Sequence, residues 1–561
     1  MAETHVPSEA PHRPHRSRNR GLAGIAIGLA VFIIAIAIVA EYIARHAAPI
    51  IRRSVVATLT ARFNSPVELD SLNISVANGL EVHGHGLRIY YLAGPTQPDL
   101  EQKQGNAASP MLSVNDFDFR TTFRALLHRH ANLTRVDVDG MELHIPPHSG
   151  GHINHAEAPK SRITLTVARI YCKNVKLIIE TAHPEKQPLQ FLIQNLELTN
   201  AGAGQSMPYV ADVINPKPVG NVHATGHFGP WLSADPRATP VDGDYTFTHA
   251  DLNSIKGIGG ILSSTGTFSG HLSKLTVDGT TDTPDFSLDI SGHPMPLQTK
   301  FHAFVDATNG DTTLDPVQAT LGHSSFTCSG TVINIKDKGH DIALTVDMPH
   351  GRIEDMLQLT MKEAPVMRGA MNLKAKVHIP PGDVRVARKL GLDGKLHIQN
   401  VEFTSAKLQD HIDDLSMRAQ GKPRDAKTDG SDHKPEVASD MTIDFSMANA
   451  NMLIRALHYQ VPGANVDLDG AYTEANNAFD LRGHVRTDAT ASQMVTGWKS
   501  ALLKPFDGMF KKDGAGTQIP IQITGDHGNF KVGFALHGSG DSAQQIQSQL
   551  LHRPTPSSPN P

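Results

Sequence analysis

The chain has 561 residues and a formal net charge of -5, from 51 lysines and arginines against 56 acidic residues. That balance excludes a strongly basic nucleic-acid binder, so no nucleic-acid partner is expected. The 47 glycines, 36 prolines and aromatic content of 5% are typical of many short strands joined by turns, with few long helices. Cys172 and Cys328 stand far apart and belong to no motif, so we predict two packed residues without a disulfide.

Residues 21–40 form the longest apolar run of the chain and contain neither a charged residue nor a proline. A helix of this length spans about 30 Å, the thickness of the hydrocarbon core of a bilayer, so we predict a transmembrane helix over residues 21–43. Residues 1–20 are Arg-rich and predict a disordered tail, which the positive-inside rule places in the cytoplasm. The chain is then expected to be a single-pass inner-membrane protein with a periplasmic body. A cleaved signal peptide is the alternative, but its apolar region is only about 7–15 residues long.

Downstream of the anchor, the spacing of the apolar residues changes. Residues 44–64 have apolar side chains at helical spacings and predict a juxtamembrane helix. Over residues 65–536, apolar and polar residues alternate in one run after another, which indicates strands with one apolar face. Clear examples of this alternation are the runs Phe286, Leu288, Ile290 and Ile342, Leu344, Val346.

Only a few segments interrupt the alternation. Helices are predicted over residues 351–361 and 383–391, with a late helix over residues 491–510. Residues 420–438 predict a solvated loop, and residues 537–561 predict a short helix followed by a disordered tail. The expected fold class is mainly β, with an N-terminal transmembrane helix followed by a long curled antiparallel β-sheet groove and a few short helices.

Asp-Gly and Asn-Gly pairs predict where the strands turn, because both residues of such a pair tolerate positive φ. Strands joined by tight turns of this kind form an antiparallel meander. The predicted turns are at Asp139 and Gly140, Asp278 and Gly279, Asn309 and Gly310, Asp393 and Gly394, Asp469 and Gly470, and Gly525 and Asp526.

A long sheet with one apolar face has two arrangements open to it. Two such sheets can close on each other as sandwich domains with filled cores. Alternatively, one sheet curls without closing, and its inner face is an apolar trough that shields acyl chains from water. Alternation alone leaves both arrangements open. The trough predicts acyl-contacting side chains at Phe286, Leu288, Ile290, Phe301, Val305, Ile342, Leu344, Val346, Ile521, Val532 and Phe534.

Three stretches resemble the AsmA family of inner-membrane proteins. Residues 51–89 follow the anchor and contain a Ser-Pro-Val step at residues 65–67 and two Gly-Leu strand starts. Residues 502–534 look like the closing element of that family, with a helix, a Gly-rich turn, an Ile-Pro strand and a final strand. Residues 242–299 are similar to its repeated strand units.

The resemblance implies a curled β groove that carries or shelters lipid, in the manner of bridge-like lipid-transfer proteins, and a role in outer-membrane lipid homeostasis. It also implies a phospholipid or another acyl lipid as ligand, anchorage in the inner membrane and no catalytic residues. The chain is shorter than the longest members of the family. Either a periplasmic or outer-membrane protein partner completes its path, or it acts near the inner membrane alone.

The sequence contains no convincing motif for catalysis or metal binding. His144, His148, His152 and His155 fall in a stretch rich in Pro and Gly without accompanying Cys or carboxylate ligands, which favours a solvated loop. No Gly-x-Ser-x-Gly elbow of a serine hydrolase occurs. We therefore expect no cofactor and no enzymatic activity. The rival function is a periplasmic β scaffold or assembly factor for outer-membrane proteins, without lipid carriage.

Overall fold

Strands make up most of what the computed structural model describes. The described residues are 66–75, 80–90, 110–121, 130–145, 164–181, 184–202, 204–232, 236–423, 437–473, 478–495, 516–526 and 529–534, with residue 504 and scattered residues between 34 and 60. The chain divides into two compact units, residues 1–141 with 154–171 and residues 142–153 with 172–561.

The first unit is built on an antiparallel sheet in which β2 pairs with both β1 and β3. Its strands are β1 (Val67–Ser75), β2 (Leu80–Ile89), β3 (Leu112–Thr121) and the first parts of β4 (His130–Ile145) and β5 (Thr164–Ile179). Alternate side chains of β1 to β3 form its core, which includes Leu69, Val82 and Phe117. Val55 and Leu59, from the described helical residues between 52 and 60, pack against this core.

The second unit is a longer antiparallel meander. Its strands are β6 (Leu189–Ala201), β7 (Met207–Pro216), β8 (Val219–Phe228), β9 (Pro240–Asp251), β10 (Ile258–Gly259), β11 (Ile261–His271), β12 (Lys274–Leu288), β13 (Met295–Asp306), β14 (Asp311–Leu321), β15 (Ser324–Ile335), β16 (Gly339–Arg352), β17 (Met367–Ile379), β18 (Gly391–Phe403), β19 (Asp440–Ala448), β20 (Asn451–Val461), β21 (Ala464–Thr473), β22 (Ala478–Thr487), β23 (Thr517–Asp526) and β24 (Asn529–Phe534). Each strand pairs with the next in sequence, except that β9 pairs with β11 and the two-residue β10 pairs with β12.

Among the described residues, three α-helices lie in connections of this meander: α1 (Ile353–Thr360), α2 (Val386–Lys389) and α3 (Ala406–Ala419). The helices predicted over residues 351–361 and 383–391 are thereby confirmed. The helix α3 was not predicted, although Ser405 is a typical N-cap whose Oγ accepts a hydrogen bond from the Leu408 backbone N–H at 3.4 Å.

Four of the predicted turns are wrong, because the structure places their glycines inside β4, β12, β18 and β21. Asn309 and Gly310 do form the turn between β13 and β14, where Gly310 has a φ of +84°. In β12, by contrast, a Cβ on Gly279 would lie 2.9 Å from Phe301 Cζ. Gly279 therefore provides room for a ring of the neighbouring strand instead of turning the chain.

Several predicted segments fall outside the described residues. Among the residues that are described, no helix is long and apolar enough to cross a membrane. The anchor predicted over residues 21–43 lies outside them apart from Ile34, and so do most of the loop at 420–438 and the late helix at 491–510. The tail at 537–561 lies outside them entirely.

The sheet of the second unit curls strongly. Seven strand pairings separate β6 from β14, which is about 34 Å on a flat sheet at about 4.8 Å per strand. Yet Lys186, just before β6, places its Nζ 2.6 Å from Asp311 Oδ1 at the start of β14. The Lys336 backbone N–H, just after β15, donates to the Glu185 carbonyl at 2.5 Å. Only a curled sheet can bring these segments together.

The turns of the meander alternate between two edges of the curled sheet, here called rim 1 and rim 2. Rim 1 carries the segment before β6, the β7–β8 turn, the β9–β11 connection, α1 and α3. Rim 2 carries the β13–β14 turn, the β15–β16 turn and α2. Segments of rim 1 thus meet segments of rim 2 that follow about eight strands later in the chain.

Candidate functional site

One row of side chains crosses all the strands of the second unit from β6 to β24 except the short β10. Each member is the direct cross-strand partner of the next, and every member is apolar or glycine except Tyr245. This inner row consists of Leu196, Ala211, Ala224, Tyr245, Gly266, Gly279, Phe301, Val317, Cys328, Val346, Ala375, Gly394, Phe445, Ile454, Gly470, Leu481, Ile523 and Val532. Because the side-chain period of a strand is two, the rows two residues to either side share this face.

Most of the predicted acyl-contacting residues lie on this face. Phe301, Val346 and Val532 belong to the inner row itself. Leu344 lies in the row beside it, and Ile342 and Val305 lie in the next row towards rim 2. Ile521 and Phe534 are cross-strand partners on the other side of the inner row.

Three of the predicted acyl-contacting residues lie away from the inner row, namely Phe286, Leu288 and Ile290. Phe286 and Leu288 lie near rim 1, where they pack against a small core that includes Met295 and Leu359. Ile290 follows the end of β12 in a turn, with 44% of its surface exposed. The alternation continued past the end of the strand, so the sequence alone did not separate Ile290 from its neighbours.

The apolar face is filled at rim 1. There α1 and α3 pack on the strand ends, and Met348, Met371 and Ile398 are 1–2% exposed. Further from this rim, Phe301 and Leu344 are only half-buried. In the described part of the chain, α1 and α3 are the main elements that cover the face, and its central rows contain buried residues such as Ala303 and Val317 beside the half-buried ones.

The opposite face is polar and carries hydrogen-bonded pairs of basic and acidic side chains. Histidines hydrogen-bond to aspartates on adjacent strands, as in His223 with Asp212 at 2.8 Å and His302 with Asp278 at 2.7 Å. The bond from His223 lowers the pKa of Asp212. A trough of about 840 Å³, whose lining includes Lys300 and Phe326, crosses β11 to β16 on this face. The inner row is nevertheless the longer apolar surface, because it continues from β6 to β24.

The described residues offer little reactive chemistry. Both cysteines are free, as predicted, and burial raises the pKa of the Cys172 thiol to about 12 and also raises that of Cys328. Both thiols are therefore protonated near neutral pH. Among the described residues, no three His, Cys, Asp or Glu side chains are grouped so that they could hold a metal ion. Of the four clustered histidines, only His144 is described, and it contacts Glu142 and Glu180.

Comparisons with protein-family models, with curated proteins and with solved structures found no match. The resemblance to the AsmA family therefore stays a prediction, which depends on the motifs in residues 51–89, 242–299 and 502–534.

Proposed function

We propose that this chain is a membrane-anchored, AsmA-like lipid-binding and lipid-transfer protein whose inner apolar face binds acyl chains. In this proposal the body lies in the periplasm, and lipid carriage contributes to outer-membrane biogenesis and lipid homeostasis. The observation that carries the proposal is the inner row, which stays apolar or glycine across the strands with Tyr245 as its one exception.

The energetics favour acyl chains over other ligands. Transfer of each CH₂ group from water to an apolar surface gains about 0.8 kcal/mol, and the gain requires no directional polar contact. The inner row offers contact of this kind at its half-buried members, such as Phe301 and Val346, whereas others, such as Ala224 and Val317, are already buried. A ligand held only by such contacts can slide from strand to strand, which is what transfer along a groove requires.

The test compares three substitutions on β16. Leu344→Glu places a charge in the half-buried central rows, so we expect it to reduce the bound lipid severalfold and leave the fold intact. Met348→Glu places the same charge among residues packed under α1, where Met348 is 2% exposed. Burial of an unpaired charge costs several kcal/mol or more, so this variant should unfold. Thr345→Glu, on the exposed polar face, is the matched control and should change neither property.

Native mass spectrometry after gentle extraction measures the lipid, and thermal unfolding measures the fold. Wild-type protein that is free of lipid would overturn the proposal. Unfolding of Leu344→Glu to the same extent as Met348→Glu would show that the central rows are a solid core.

A protein scaffold is the second candidate function. Its support is β24, whose Val532 is 61% exposed and which, among the described strands, pairs with β23 alone. A partner could add a strand at this edge. Capture of a stoichiometric protein partner, with no lipid in either protein, would favour the scaffold.

A further inference from the structure

Rim 1 and rim 2 contact each other at two places along the open side of the curled sheet, and this line of contact is here called the seam. At one place Lys186 contacts Asp311, and Gln187 contacts Asp337. At another, the Lys256 Nζ of the β9–β11 connection lies 3.2 Å from Asp383 Oδ1 in the β17–β18 connection. Beside that pair, Val386 of α2 packs against Gly257. The seam thus crosses the open side of the sheet between rim 1 and rim 2.

The two places differ greatly in strength. The Lys186 side chain is 7% exposed, so its ion pair with Asp311 is largely shielded from water. Lys256 and Asp383 are 75% and 95% exposed, and a pair so exposed contributes at most about 1 kcal/mol. The seam is therefore firm near β6 and weak at the β17–β18 connection.

The weak part of the seam, at the β17–β18 connection, is a segment with a hydrogen bond of its own between its two ends. Within residues 380–390, the Lys389 Nζ donates to the Gly382 carbonyl at 2.8 Å, so the end of the connection is tied back to its beginning. The Gly382 N–H donates to the Lys338 carbonyl at 2.6 Å, which fixes the beginning to the β15–β16 turn. Gly382 has a φ of +118°, and a Cβ there would contact nothing within 4 Å. Residues 383–390 are therefore a compact segment that is attached to the β15–β16 turn through Gly382, where a positive φ and open surroundings leave the backbone room to rotate.

We propose that residues 380–390 form a lid over the apolar face, and that its release from Lys256 and Gly257 admits acyl chains sideways. This inference rests on the proposed lipid-binding function and adds the route of entry. When the lid is closed, the rims meet and the chains are held. When it is open, the face between β9 and β17 is accessible without any change at the Lys186–Asp311 pair.

The test locks the lid with a disulfide. A Cβ at position 257 would lie 3.4 Å from Val386 Cβ, close to the roughly 3.8 Å between the Cβ atoms of disulfide-bonded cysteines. The variant with both Gly257→Cys and Val386→Cys is oxidised in the full-length protein, and uptake of a fluorescent phospholipid from vesicles is followed. We expect uptake at least tenfold slower in the oxidised form than after reduction. The single variants Gly257→Cys and Val386→Cys control for strain at position 257, where φ is +101°.

A second variant tests the lid without a disulfide. Lys256→Glu places two like charges together at Asp383 and should speed uptake severalfold. Lys300→Glu, which makes the same change on the polar face, should leave the rate unchanged. Uptake at the wild-type rate in the oxidised protein, or in Lys256→Glu, overturns the lid. Absence of phospholipid from wild type and from the reduced variant refutes lipid binding itself, which is a different outcome.

Discussion

Gly279 illustrates how closely the residues of the inner row approach one another. A Cβ at this position would lie 2.8 Å from Tyr245 Oη, 2.9 Å from Phe301 Cζ and 2.9 Å from the Thr265 carbonyl oxygen. Phe301 lies on β13, next to β12, and Tyr245 lies on β9, one strand beyond β11, so a glycine at position 279 lets both side chains lie across the row. The lack of a side chain at Gly279 is therefore what allows these two rings to pack on the apolar face.

We therefore predict that Gly279→Ala destabilises the protein by about 1–3 kcal/mol, because the backbone carbonyl of Thr265 cannot move away as a side chain can. Urea unfolding measures the change. Gly533→Ala is the matched control, since a Cβ there would have no neighbour within 4 Å. We expect Gly533→Ala to stay within about 0.5 kcal/mol of wild type. Equal effects of the two substitutions would contradict this account of the row.

At the residue scale, the sequence predicted the apolar face well and the turns poorly. Alternation placed Phe301, Leu344 and Val346 on one face because the period of two is a local property of a strand. Gly279 was misread because an Asp-Gly pair has the same letters in a turn and inside a strand. Only the cross-strand neighbour distinguishes the two, and that neighbour is more than 20 positions away in the chain.

Among the elements, α1 depends on a buried carboxylate. Asp355, in its first turn, accepts hydrogen bonds from the His323 backbone N–H at 3.0 Å and from Ser324 Oγ at 2.7 Å. Ser324 Oγ in turn accepts from the Arg352 backbone N–H at 2.9 Å. These bonds fix the start of α1 to the β14–β15 turn and so hold the helix over the filled end of the sheet.

Asp355→Ala should cost about 1–3 kcal/mol, because it leaves the buried Ser324 hydroxyl and the partly buried His323 N–H without their acceptor. Hydrogen exchange should then accelerate over residues 353–360 more than over the neighbouring strands. Glu363→Ala, an exposed change just after the helix, is the control and should leave exchange in α1 unaltered. Unchanged protection of α1 in Asp355→Ala would show that apolar packing alone holds the helix.

The helices were predictable in part. Residues 351–361 and 383–391 carried visible helical patterns, and α1 and α2 lie within them. The helix α3 carried the same information in its Ser405 cap and in Leu408 and Ile412 at a spacing of four. The position of a helix over a sheet depends on contacts with distant strands. A local sequence pattern therefore does not predict which end of the apolar face is filled.

For the whole molecule, the curl of the second unit depends on partners that lie far apart in the chain. Lys186 and Asp311 are separated by 125 positions, and no periodicity connects them. Apolar alternation is the same in an open trough and in closed sandwiches, so the sequence alone leaves both arrangements open. The structure has an intermediate form, with a single curled sheet that is filled at rim 1 and bridged at the seam.

The two members of the Lys186–Asp311 pair should differ in how much their loss lowers the free energy of unfolding. Lys186 is 7% exposed and Asp311 is 31% exposed, so Asp311→Ala leaves a buried charge unpaired, whereas Lys186→Met removes it. Loss of one partner of a fully buried pair costs about 3–5 kcal/mol, and we expect Asp311→Ala to approach that range. Lys186→Met should cost clearly less. Urea unfolding compares the two, with the exposed Lys256→Met as a control near zero, and equal costs would contradict the asymmetry.

The order of pairing in the meander has a consequence for how such a protein can change over time. Between β11 and β24, each described strand pairs with its immediate successor, so a hairpin is a self-contained increment of about 9.6 Å of sheet width. Duplication or loss of one hairpin would preserve the registers on both sides and keep apolar residues facing the same way. The sheet can therefore be widened or narrowed by one hairpin at a time, without changes in the remaining strands.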